Sequence, residues 1–428
     1  MSATRRTLAL RAYLLLARAL APVWHWGLQR RLLRGKETER SIAHKLMTAP
    51  APRAAGPLIW GHAVGVGESL ALAGLFARLA ERLPQHQFLI TTTSRTSGDA
   101  LHRLGLPPRC QHQFGPVDTP AVAAAFLDHW QPSLAIWCEM DLWPALIDAA
   151  QGRAIPTVLV NARLTEKSLA KRRWGRAIYA PLFQRFAWLA AQNASTTEAL
   201  VSLGAPRKRI AVTGSIKALS PAPNCDAQQL AALQAAIGTR LVWLLASSHP
   251  GEEALALQAH ALLRATHPDA LLLIAPRAPA RGAEVMALAS GAGGAAQRSA
   301  QQAITPDTPV YVADTIGEMG LWYRLARVAM VGGSWAHVGG HNPHEPISLG
   351  CAVLHGPNVW NFSESYAELT LTAAGRCVAV TDATAIAAAV QAVWADPTPA
   401  PAAPPITAQA QALLDRLQAL AETAARTA

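Results

Sequence analysis

The sequence predicts an α/β protein of two doubly wound, Rossmann-like parallel-sheet domains facing a central cleft, preceded by an N-terminal membrane-associated helix. Three observations predict it. From Pro57 onward, short apolar runs alternate with helical stretches, the pattern of strand–helix–strand units in a parallel sheet covered on both faces. The alternation stops at Pro221-Ala222-Pro223-Asn224 and then starts again. A chain of 428 residues, 51% hydrophobic and 15% charged, also exceeds one ordinary core and suits two.

In chain order, residues 1–53 read as a basic, amphipathic, membrane-anchoring segment. Its apolar helical stretch, Leu8 to Gly27, is interrupted by Arg11 and Arg18 and stopped by Pro22. It therefore falls short of an uninterrupted span of about 20 apolar residues. Trp24 and Trp26 stand where interfacial aromatics sit, and Arg30, Arg31, Arg34 and Lys36 suit anionic headgroups. An interfacial anchor is the preferred reading; a tilted transmembrane helix and a helix packed on the first domain stay open. No small-residue cleavage site follows the run cleanly, which disfavours a signal peptide. The net charge of +11 is concentrated in this segment, where 11 Lys/Arg face only Glu37 and Glu39. The expected partners are therefore anionic membrane lipids and not nucleic acid. Five scattered cysteines (Cys110, Cys138, Cys225, Cys351, Cys377) give neither a disulfide framework nor a zinc site. The part outside the membrane is expected to be cytoplasmic, with its thiols reduced.

The first domain, 54–218, has expected strands at Leu58 to Val64, Gln87 to Thr93, Ser133 to Cys138, Thr157 to Val160 and Trp188 to Ala191. A helix is expected over Glu68 to Arg82. The second domain, 219–400, has expected strands at Leu241 to Ala246, Ala270 to Ile274, Val310 to Val312, Val328 to Val331 and Ala352 to His355. A breaker run from Asp396 to Pro405 precedes a C-terminal helix within 401–428, starting near Thr407. Doubly wound sheets bind ligands outside the carboxyl ends of their strands, which is where candidate residues are sought.

In GHAVGVGES (Gly61 to Ser69), Gly65 and Gly67 permit a tight turn and place Glu68 at a helix start. Its carboxylate can take a proton from an attacking hydroxyl, or simply favour the helix terminus. In IWCEMDLWPAL (Ile136 to Leu146), a buried strand ends in Glu139 and Asp141. Capping of the next helix suits Asp141 better than Glu139. The run Lys167, Lys171, Arg172, Arg173, Arg176 reads as a solvated face that could also meet lipid phosphates. In the second domain, ASSHPGEE (Ala246 to Glu253) brings hydroxyls to a strand end, and APRAPARGAE supplies Arg277 and Arg281. DTIGEMG places Gly317, Glu318 and Met319 at a helix start. VGGSWAHVGGHNPHEP supplies four glycines before His341, Asn342 and Glu345. Glycine-rich turns and helix starts can bind phosphate without a metal, and a glutamate there can accept ribose hydroxyls. The histidines His337, His341, His344 and His355 lack carboxylate support and are not expected to hold a metal. No D-x-D pair stands ready for a metal–diphosphate, which favours a nucleoside monophosphate leaving group.

Together these segments resemble the 3-deoxy-D-manno-octulosonic acid (Kdo) transferases, their alphaproteobacterial branch in particular, from about Leu33 to about Val380. TGSIK (Thr213 to Lys217) and GGHNPHEPISLGCAVLHGPNVWNF add to the match, the latter being specific on its own. The resemblance implies a GT-B-type fold and transfer of Kdo from CMP-Kdo, a co-substrate in place of any cofactor, to lipid IVA. It implies Glu68 as general base, with Glu139 and Lys217 stabilising the transition state. CMP contacts fall to Pro276, Arg277, Gly317, Glu318, Met319, Asn342, Pro343, His344 and Glu345. Direct displacement with Glu68 taking the proton would invert the anomeric centre, without metal. The chain departs from the family pattern at Gly65 (usually Ser), Ala145 (usually Asn), and Ala278 and Ala280 (usually His and Glu). A transferase using another nucleotide sugar and lipid acceptor, and a catalytically silent membrane-bound paralogue, are the alternatives.

Overall fold

A computed structural model describes residues 6–220, 222–291, 293–372, 376–396 and 407–427. They divide into two compact units: 6–220 with 407–427, and 222–396. Pro221 and most of the breaker run expected over Asp396 to Pro405 lie outside the described residues.

The first unit is built on seven parallel strands: β1 (Leu58–Ala63), β2 (Gln87–Thr92), β3 (Cys110–Phe114), β4 (Leu134–Cys138), β5 (Thr157–Ala162), β6 (Trp188–Ala191) and β7 (Ile210–Val212). Their order is β3-β2-β1-β4-β5-β6-β7, so the direction of strand addition reverses between β1 and β4. Both faces of the sheet are covered, so the central strands are buried throughout instead of alternating. On one face Trp60 meets Trp137 edge-on at 4.9 Å. On the other, the helix Val66–Arg82 packs so tightly that a Cβ on Gly61 would stand 2.7 Å from Leu72 and Phe76.

The second unit repeats the plan with β8 (Val242–Ser248), β9 (Leu271–Pro276), β10 (Ala296–Gln297), β11 (Val310–Val312), β12 (Val328–Val331), β13 (Ala352–His355) and β14 (Cys377–Ala379). All pairs are parallel, in the order β10-β11-β9-β8-β12-β13-β14, and the reversal falls between β8 and β12. The ten strands read from sequence are present, most within one or two residues of their expected ends. The four that sequence reading passed over, β3, β7, β10 and β14, lie at the sheet edges; β3 and β10 carry polar residues, and β7 and β14 are only three residues long. Three strands run past their expected ends: β5 and β8, whose ladders shift register near Asn161 and Ser247, and β9, which ends at Pro276.

The N-terminal stretch is two helices, Leu8–Ala19 and Ala21–Leu33, divided at Leu20 with Pro22 in the first turn of the second. No helix among the described residues is long and apolar enough to cross a membrane. The first helix is docked on its own unit: Leu10 and Ala17 are buried, and Tyr13 Oη donates to Asp118 at 2.7 Å. Its outer face is left apolar, with Leu15 69% and Leu16 58% exposed. The C-terminal helix Ala408–Thr427 returns to the first unit, where Leu413, Leu414 and Leu417 join its core and Asp415 pairs with Arg82.

Candidate active site

In the first unit, the residues following β1 and β4 flank the reversal point, where doubly wound sheets place ligands. Glu68 is the third residue of the helix Val66–Arg82 and folds back over its start. Its Oε2 accepts the N–H groups of Val64 (3.1 Å) and Gly65 (3.2 Å). The terminus reading of Glu68 therefore holds, and its carboxylate also lies close enough to Glu139 to help raise the pKa of that group. Glu139 follows β4 at φ +63°, a left-handed conformation that costs an L-residue about 1 kcal/mol. Its Oε1 accepts from Asn161 Nδ2 at 3.0 Å and lies 4.0 Å from Lys217 Nζ.

Asn161, fully buried and at φ +58°, fixes this arrangement. Its Oδ1 accepts from Gln192 Nε2 (2.8 Å) and from the Ile216 N–H (3.1 Å). One amide thus ties the ends of β4, β5 and β6 to the turn carrying Lys217. That turn rests on Gly74, where a Cβ would stand 1.8 Å from the Leu219 carbonyl oxygen. Glu68, Glu139 and Lys217, far apart in sequence, are brought together. Asp141 is exposed, and the helix it was expected to cap is capped by Asp118, which accepts the N–H groups of Ala145 (3.2 Å) and Leu146 (2.9 Å).

In the second unit, the glycine-rich turn after β12 was expected to receive phosphate. Its donors are instead taken by Glu252, fully buried in the helix after β8. Glu252 accepts the N–H groups of Gly333 (2.9 Å), Ser334 (3.0 Å), Trp335 (3.0 Å) and His249 (2.9 Å). This carboxylate joins the β8 and β12 loops and brings His249 and His341 face to face, Nε2 to Nε2 at 2.8 Å. Burial, then His249, then Arg277 hold His341 down to about 4. Arg277 follows β9, is exposed, and pairs with no carboxylate among the described residues. It is close enough to bias both His341 and Glu345.

Pro276 ends β9, and Pro343 precedes the short helix His344–Ser348. There Asn342 Nδ2 donates to Glu345 Oε1 (3.3 Å), and Asn342 Oδ1 accepts the His344 N–H (3.1 Å). Burial lifts the Glu345 carboxyl above the ordinary range. Arg281 is engaged by Glu253 and Glu284. Glu318 is engaged too: burial would raise its carboxyl, but Arg298 (2.6 Å) and Thr315 outweigh that and hold it low. What Gly317 (φ +91°), Glu318 and Met319 leave open is main chain at a helix start, beyond β9 from Arg277. Among the described residues, no group of three or more His, Cys, Asp or Glu converges as metal donors.

A family model described as 3-deoxy-D-manno-octulosonic-acid transferase matches residues 37–220. The 3-deoxy-D-manno-octulosonic acid transferase of Bordetella pertussis is 36% identical over 372 residues, covering 82% of this chain and 84% of the relative. This chain belongs to the Kdo transferase family. It is accordingly a glycosyltransferase. The Kdo transferase of Haemophilus influenzae is 31% identical, covering 72% of each chain. Two solved structures share the fold of this Kdo transferase family member. The UDP-GlcNAc 2-epimerase from Methanocaldococcus jannaschii has a TM-score of 0.54 at 13% identity, covering 84% of this chain and 99% of that one. A glycosyltransferase from Rickettsia africae has a TM-score of 0.50 at 10% identity, covering 87% and 97%.

The carboxyl pair of this Kdo transferase family member has a pH signature. Burial, reinforced by the charge of Glu68 and opposed in part by Lys217, pushes Glu139 up to about 7. Between its ordinary value near 4.5 and 7, the folded protein therefore holds a proton that the unfolded chain has lost. The resulting stabilisation is complete below 4.5 and disappears as pH rises through 7. Glu139→Gln cannot ionise, so its stability relative to wild type should improve between pH 5 and pH 8 by on the order of 2 kcal/mol. Denaturant midpoints of both proteins at the two pH values check this. A difference that stays constant with pH would mean that Glu139 titrates normally.

Proposed function

We propose that this protein transfers Kdo from CMP-Kdo to lipid IVA, within lipopolysaccharide biosynthesis, with inversion and without metal or cofactor. The observation that carries the reading is the Glu68–Glu139–Lys217 cluster at the reversal point of the first sheet. A carboxylate held by two N–H groups and backed by a second, proton-bearing carboxyl is suited to accept the proton of an attacking hydroxyl. Transfer of a sugar bearing an anomeric carboxylate passes through an oxocarbenium-like state, which Glu139 and Lys217 would stabilise. In the second unit, Arg277 would offset the charge gathering on the departing CMP phosphate, with Asn342 and Glu345 beside it. The donor would be held by that unit, and the acceptor activated by the first.

We place the enzyme at the cytoplasmic face of an inner membrane, attached through its first two helices. The exposed Leu8, Leu15, Leu16, Trp24 and Trp26, together with the arginines around them, support that placement. Incubation with CMP-Kdo and lipid IVA, with mass analysis of the lipid, tests the reaction; an unshifted lipid would remove it. The nucleotide is tested separately. CMP at 100 times its dissociation constant should stabilise the second unit by about 2.7 kcal/mol, visible as a raised melting temperature. UDP at the same concentration should do much less, and preference for UDP would favour another nucleotide sugar.

A further inference from the structure

The helix Leu8–Ala19 carries a second stripe, distinct from its buried one, along the edge where it meets its own unit. Arg11, Leu14, Leu15 and Arg18 recur at spacings of three, four and seven, which aligns them along one face. Between this stripe and the helices Pro120–Trp130 and Pro144–Gly152 lies a cavity of about 610 Å³. Its floor is made of small residues, Ala124, Ala145, Ala149 and Gly152, and Arg6 and Arg153 complete its rim. Arg6 is tied to the buried Asp148 at 2.8 Å and Arg153 to Asp128 at 2.7 Å. Arg11 and Arg18 pair with no acidic side chain among the described residues. The cavity is thus an apolar trough with uncompensated positive charge at its mouth. Leu15 at its lip is exposed, as are Leu16, Trp24 and Trp26 elsewhere on the first two helices.

We propose that this trough holds one anionic phospholipid, its phosphate between Arg11 and Arg18 and an acyl chain along Leu14, Leu15 and Ala149. Two guanidinium groups favour a phosphate that brings no cation of its own, and the apolar floor favours a chain over a soluble anion. A zwitterionic headgroup would set an ammonium against the same arginines. The inference rests on the membrane placement of the first two helices and deepens it, from a general attraction to one stoichiometric site.

The test is native mass spectrometry of the full chain in a mild detergent, titrated with phosphatidylglycerol or phosphatidylcholine. Wild type should retain one phosphatidylglycerol per chain and bind phosphatidylcholine at least tenfold more weakly. The double variant Arg11→Gln, Arg18→Gln should lose that retention at least tenfold. So should Ala149→Trp, which fills the floor without changing charge. Arg78→Gln with Arg103→Gln, two exposed arginines elsewhere on the same unit, should retain the lipid as wild type does. Equal retention of both lipids would overturn the proposal, as would loss in that control or displacement by soluble glycerol phosphate. Melting curves establish that each variant is folded. Sugar transfer is read from the acceptor's mass, so its absence is distinguishable from loss of the bound phospholipid.

Discussion

Glu252→Ala is expected to unfold the β8–β12 side of the second unit, at a cost of about 4 kcal/mol or more. Its carboxylate accepts four main-chain N–H groups within 3.0 Å from two loops, in a place water does not reach. Removing it orphans all four donors, each worth about 1–3 kcal/mol when buried and unpaired. The loops cannot relax towards each other, because a Cβ on Gly332 would already stand 2.3 Å from the Ser247 carbonyl oxygen. Glu252→Gln is not a rescue, since its NH₂ group would face N–H donors. The denaturant midpoint of the second unit should fall in both variants, with alanine the lower. Stabilisation by CMP should be lost with it, because Asn342 and Glu345, proposed to sit beside the CMP phosphate, follow the same glycine-rich turn. A Glu252→Ala protein with an unchanged midpoint would show that solvent or other groups satisfy the turn.

The same residue marks where sequence reading stopped. Central strands such as Trp188–Ala191 and Val328–Val331 are legible because burial on both faces forces an unbroken apolar run. β3, with Gln111 and Gln113 inside it, carries no such run and is recognisable only by its neighbour. The general base candidate was legible because glycines announce a turn and a carboxylate follows it. Asn161 was not, although an asparagine at a strand end is one of the few non-glycine residues that enter the left-handed region readily. Its role exists only through Glu139, 22 residues earlier, and through Gln192 and the Ile216 N–H, 31 and 55 residues further on. The glycine-rich turn before His341 is legible as a place for an anion, expected to be phosphate. The anion that fills it is a glutamate 81 residues earlier, and spacing cannot announce a partner at that distance. The N-terminal helix was likewise legible as amphipathic, but its docking through Tyr13 onto Asp118 depends on a fold formed downstream.

Glu68→Gln should reduce transfer by about 10²–10⁴-fold while leaving CMP affinity and stability near wild type. The choice of glutamine matters because Glu68 does two things. Its Oε2 accepts the Val64 and Gly65 N–H groups, and a glutamine oxygen can accept them equally well, so the helix start survives. Only the capacity to take a proton is lost. Glu68→Ala removes both, and should be less stable than Glu68→Gln by about 1 kcal/mol, the usual worth of a cap. The pair also predicts a cross-effect. With a neutral residue at 68, Glu139 loses the neighbouring negative charge that helps raise it and keeps the opposing influence of Lys217. Its titration should then move below about 7, and the pH-dependent gain of Glu139→Gln should shrink in the Glu68→Gln background. Transfer rates on lipid IVA, CMP thermal shifts and denaturant midpoints on the single and double variants separate these effects. Retained turnover in Glu68→Gln would leave this carboxylate as a cap alone and move the proton acceptor to Glu139. A Glu139 response indifferent to residue 68 would mean that burial alone holds its proton.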